Sequence, residues 1–86
     1  MKFYQILTVS RTMGINFIVP DPFIFSDLIS ALQNVKNRMA SFENNGEVSL
    51  YRGEISSLEE IANIYKDKVV AAEVSEFYIL HLDLAS

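Results

Sequence analysis

An α+β fold is what this 86-residue sequence predicts: a small, mostly antiparallel four-stranded sheet in ββαβαβ order with two helices packed on one face. Three observations predict it. Residues 3–10 and 15–19 alternate in polarity around a glycine-bearing turn. Phe25, Leu28, Leu32, Val35, Met39 and Phe42 recur every three or four positions. The segment from Phe77 to Leu84 is apolar on both of its faces.

The first strand sets Phe3, Gln5, Leu7 and Val9 against Tyr4, Ile6 and Thr8, the two-residue period of an extended chain. Arg11-Thr12-Met13-Gly14 reads as a turn, because Gly14 can take a positive φ. Ile15 to Val19 then returns as the second strand of a hairpin. Pro20 and Pro22 are expected to end it, since proline lacks the amide donor that a ladder needs. The apolar stripe from Phe25 to Phe42 marks a helix of about 18 residues. Asp21 before Pro22, or Ser26 before Asp27, are its candidate caps, and Asn44-Asn45-Gly46 is its stop.

Glu47 to Arg52 alternates as a short third strand ending at Gly53. Ser57-Leu58-Glu59-Glu60 has the pattern of a capping box and opens a second helix with Leu58, Ile61, Ala62 and Tyr65 inward. That helix ends near Lys66-Asp67-Lys68, where lysines suit the negative end of the helix dipole. Val69 to Val74 is either a strand of its own or the entry to the last strand, with a break near Ser75-Glu76.

In the last strand Tyr78, Leu80, Leu82 and Leu84 point one way. Phe77 and Ile79 point the other way, followed by His81 and Asp83. A half-exposed strand would carry polar residues along one face. This one needs cover on both, and in so short a chain another chain is one source of it. If both helices take one sheet face, the other retains several of Tyr4, Ile6, Ile18, Tyr51, Phe77 and Ile79. That face is either an interface or is covered by the Pro20–Pro22 loop with Phe23 and Ile24.

Composition bounds the rest. Residues 1–86 are expected to form one domain, without repeats, low-complexity runs or a linker. Apolar residues make up 50% of the chain, enough for a core, and there are no cysteines. Disulfides and thiolate metal sites are excluded, and a reducing, cytoplasmic setting is favoured. The first residues do not resemble a signal peptide, and no stretch approaches the roughly 20 apolar residues of a membrane span. The net charge of −4 is unevenly spread. Residues 1–42 carry Lys2, Arg11, Lys36 and Arg38 against Asp21 and Asp27, a net of +2. Residues 43–86 carry nine acidic residues against Arg52, Lys66 and Lys68, a net of −6. Direct nucleic-acid binding needs a basic footprint, which is missing. An acidic half can instead meet a basic protein partner.

The inventory for chemistry is thin. His81 is the only histidine, so no two-histidine metal site exists. His81 and Asp83 lie two apart on one strand face, and an aspartate can orient an imidazole, but a structural histidine is the simpler expectation. No serine lies in a Gly-x-Ser-x-Gly context, and Gly14, Gly46 and Gly53 make no phosphate-binding loop. Glu59 and Glu60 are adjacent on a helix start, which their capping role explains. No catalytic, cofactor-binding or metal-ligating residue is predicted.

The expected function is therefore that of a small non-enzymatic protein-interaction module. Its concrete form is an inhibitor or adaptor of the phage or mobile-element type, such as an anti-CRISPR or anti-restriction protein, bound to a larger nucleic-acid-binding complex. Tyr51, Arg52, Glu54, Glu59 and Glu60 are the expected contact residues, combining large anchoring side chains with acidic charge. The alternative is a homo-oligomeric ligand-binding domain or small enzyme with a pocket between subunits, where His81 and Asp83 are the polar groups to test.

Overall fold

The computed structural model describes residues 1–68 and 73–84. Its strands are β1 (Lys2–Thr12), β2 (Ile15–Phe25), β3 (Val48–Ile55) and β4 (Val74–Asp83). Helix α1 (Leu28–Asn44) joins β2 to β3, and α2 (Leu58–Ile64) joins β3 to β4. The four strands lie in the order β2-β1-β4-β3. β1 is antiparallel to both β2 and β4, and β3 is parallel to β4. Fold class, strand count and element order are those the sequence predicts.

The helices are arranged differently from the expectation. Ala31 and Val35 of α1 pack with Ile6, Phe77 and Ile79, whereas Ile61 and Tyr65 pack with Leu7, Val9, Tyr78 and Leu80. Neighbouring strand residues point to opposite faces, so one helix covers each face of the sheet. Topology explains why. β2, β3 and β4 run in the same direction, so both helical connections are parallel crossovers. The first moves across the sheet from β2 to β3, and the second moves back from β3 to β4. Crossovers strongly favour one hand, and reversing direction at constant hand puts the second helix on the other face. The cover β4 needs is thus supplied within the chain, and residues 76–80 are buried.

Every residue of the predicted helical stripe joins the α1-side core, with Phe42 stacked on Phe77 at 5.6 Å. The cap of α1 is Asp27 rather than Asp21 or Ser26. Its carboxylate accepts from the Ser30 N–H and from Ser30 Oγ, each at 2.8 Å, and these bonds hold its pKa below the usual value. Ser57 caps α2, accepting from the Glu60 N–H at 3.4 Å, while the Glu60 carboxylate accepts from the Ser56 N–H at 2.8 Å.

The hairpin turn is a two-residue one, with both Met13 (φ 53°) and Gly14 (φ 80°) left-handed, the backbone that matches strand twist. β2 does not end at Pro20. It continues through both prolines to Phe25, with a register shift opposite Gln5 and Leu7. This is compatible with proline because β2 is an edge strand and one side of it has no ladder to feed. Phe23 and Ile24 stay exposed in that strand and fold over nothing.

β3 likewise runs past Gly53. Tyr51 pairs with Phe77, but Gly53 pairs with Tyr78, so Arg52 is the extra residue of a bulge. Gly53 carries the φ of +125° that the bulge imposes. The bulge reverses the parity of the strand. Tyr51 belongs to the α1-side core, and Ile55, four residues on, belongs to the α2-side core. The ambiguous stretch before β4 falls largely on residues 69–72, outside the described residues. The break expected near Ser75-Glu76 is absent, since β4 is continuous from Val74.

Candidate functional site

β3 is the second edge of the sheet, and α1 lies alongside it. Ile29, Leu32, Val35 and Met39 of the helix face Tyr51 of the strand across an apolar groove of about 460 Å³, with Gln33 and Lys36 at its margin. Met39 also borders an adjoining depression of about 260 Å³ lined by Glu43, Glu47, Val48 and Ser49. The two together make a groove that is apolar beside Tyr51, cationic at Lys36 and acidic at its far end. The Tyr51 phenol is half-buried, and burial, then the nearby Glu54 carboxylate, raise its pKa. It therefore stays neutral and can both donate and accept.

The expected contact residues divide among several roles. Tyr51 is a wall of the groove. Arg52, the bulge residue, reaches back to the interior face, where its Nε lies 2.9 Å from Glu76 Oε2. Glu76 is the one buried charged residue among those described. The Arg52 ion pair accounts for a carboxylate being held there. Tyr65 OH and Tyr78 OH are 2.8 Å apart. Burial, then the bond to Tyr78 and the Glu76 carboxylate, push the Tyr65 phenol far above its usual pKa. Glu54 lies on the α1 face with its Oε1 2.6 Å from His81 Nε2. Glu60 is turned back into the α2 cap, and Glu59 is exposed on the first turn of that helix. Glu54 and Glu60 thus already have partners within the chain.

His81 differs from its sequence-based pairing. Its carboxylate partner is Glu54 across the sheet, not Asp83, and its ring meets Tyr4 edge-on at 5.0 Å. Asp83 Oδ1 instead lies 3.5 Å from the N-terminal amine of Met1. His81 borders a polar cleft of about 460 Å³ with Lys2, Ser56, Leu82 and Asp83. A carboxylate bonded to an imidazole fixes the ring's orientation. No group of three or more potential metal-ligating side chains occurs among the described residues, and no helix among them is long and apolar enough to cross a membrane.

Sequence reasoning missed the groove, although one signal was present. Ile29 is apolar but lies off the core stripe, and it is 79% exposed. Glu43 and Glu47 flank the helix stop and gave no sign of facing one depression.

Comparison with protein-family models, curated protein sequences and solved structures returns no match to this chain.

Proposed function

We propose that this chain is a small non-enzymatic protein-interaction module, acting as an inhibitor or adaptor on a basic, nucleic-acid-binding protein complex. The observation that carries the proposal is the groove between α1 and β3. Its volume suits one or two inserted side chains. Its apolar floor ends at Glu43 and Glu47, so it fits a partner segment presenting an apolar anchor followed by a basic residue. The net −6 of residues 43–86 favours approach of a basic surface and makes association salt-sensitive. An inhibitor of this kind needs only shape and charge complementarity, and a phage or mobile-element origin suits its small size.

The test is capture of a partner from host lysate on the immobilised protein, identified by mass spectrometry and titrated with salt. Ile29→Lys fills the groove from an exposed helix position and leaves the core alone. It is expected to weaken capture about tenfold or more. Glu43→Lys with Glu47→Lys is expected to weaken it and to flatten its salt dependence. Reversal of Glu54 or Glu60 is a poorer probe, because those carboxylates hold His81 and the α2 cap. Unchanged capture in both variants refutes the groove as the docking site.

One observation favours a second reading, that of a small enzyme or ligand-binding domain: the 2.6 Å contact of Glu54 with His81 beside a polar cleft. His81→Ala separates the two. An enzyme loses turnover, whereas the interaction module retains its partner.

A further inference from the structure

The strongest unassigned feature is the outer half of the hairpin. Met13 in the turn is 95% exposed, and Ile15, Phe17, Ile18 and Val19 on the edge strand are 59%, 46%, 37% and 54% exposed, whereas α1 meets that strand further along, at Asp21 and Phe25. Ile15, Phe17 and Val19 share one face, and their neighbours on β1 are Thr12, Ser10 and Thr8. The apolar row therefore belongs to the edge strand alone and does not extend inward to the core. Natural edges are usually blunted by charges, yet no charged residue occurs between Arg11 and Asp21.

We propose that residues 15–19 of β2 pair antiparallel with the same residues of a second copy, giving a two-fold dimer with one continuous eight-stranded sheet. Three features of the strand select this occupant. The prolines at 20 and 22 withhold amide donors, which limits a new ladder to residues 15–19 and centres it on Phe17. About that centre the row is self-complementary: Phe17 meets Phe17 of the other copy, and Ile15 meets Val19. Six apolar side chains then form one cluster on one face, an isologous contact that closes after two copies. The third feature is area. At roughly 150–250 Å² for a fully exposed large side chain, Ile15, Phe17, Ile18 and Val19 leave about 300–500 Å² of surface per copy. A pair thus buries at most about 600–1,000 Å², the size of a weak, concentration-dependent contact. The left-handed Met13, an apolar side chain where turns of this type favour asparagine or glycine, is exposed at the end of this ladder. This surface lies on the opposite edge of the sheet from the α1–β3 groove, so the proposal stands independently of the partner proposed above.

Sedimentation equilibrium of the full chain across a range of concentration tests it, with amide hydrogen exchange as a second readout. The expected result is a single reversible transition between a 9.8 kDa species and one of twice that mass. The amides of residues 15–19 should gain protection as the dimer forms. Phe17→Lys is expected to stay monomeric with an unchanged circular dichroism spectrum. Should that variant fail to fold, Ile15→Thr and Val19→Thr retain strand propensity, and each is expected to weaken dimerisation about tenfold or more. A chain monomeric throughout the range, an open-ended series of larger species, or a dimer indifferent to all three substitutions overturns the proposal.

Discussion

β4 and β2 are strands of nearly equal length and similar hydrophobicity, yet one is the core of the molecule and the other lies mostly in the open. β4 has neighbours on both sides and a helix on each face, and Phe77 and Ile79 are 1% and 0% exposed. β2 has one neighbour and leaves Ile15, Phe17, Val19, Phe23 and Ile24 each at least 46% exposed. Apolar content alone does not place a strand. What separates these two is the prolines, tolerable only at an edge, and the chain direction that brings both helices over β4.

The sharpest way to break this contrast is to truncate an aromatic side chain in each strand. Phe77→Ala is expected to lower stability by about 3–5 kcal/mol, a large part of the 5–15 kcal/mol typical of a domain. Phe17→Ala is expected to cost the monomer less than about 1 kcal/mol. Urea denaturation at a concentration too low for association measures both, and equal costs would remove the distinction.

Next in size is the link between the central strand and its outer neighbour. Arg52→Ala leaves the buried Glu76 carboxylate without its cation and is expected to cost about 2–3 kcal/mol. Glu76→Gln in the same background should recover part of that loss, because the uncompensated charge is then gone. Tyr65→Phe tests the α2-side cover of β4. Below pH 10 it is expected to cost about 1 kcal/mol for the lost hydroxyl pair. Above about pH 10 the unfolded phenol ionises while the buried Tyr65 stays protonated. The folded state then holds more protons, so stability falls as pH rises. Tyr65→Phe is expected to make the alkaline limb of the denaturation profile less steep. The smallest effect is at the far end of the hairpin. Met13→Asn relieves a left-handed methionine and is expected to stabilise the monomer by about 1 kcal/mol, read as a rise in thermal midpoint.

How much of this was legible beforehand follows from what each signal measures. Periodicity reports which side chains of one element face inward, and it located both helices, the hairpin turn and the two-faced β4. It carries no information on which strands are neighbours. The direction of each crossover, and with it the face α2 takes, was therefore out of reach. The prolines at 20 and 22 were read as an end to the strand because its edge position was unknown. The candidate site fared similarly. Tyr51 was identifiable as a large side chain near a strand end, and its groove depends on how α1 crosses β3. Arg52 looked like a free anchor because nothing in its neighbours disclosed the bulge that turns it toward Glu76. Glu54 likewise looked like a free contact residue, since its partner His81 is 27 positions away.

The bulge gives β3 something like a reading frame. Ahead of Arg52 the strand is spelled for one core, and beyond Gly53 it is spelled for the other. Deleting Arg52 would erase the extra letter and leave a regular strand, with Tyr51 still toward α1, Glu54 still opposite Ile79 and Ile55 still toward Ile61 and Tyr65. The bulge is thus the one place in β3 where a residue can be lost without exchanging the strand's two faces.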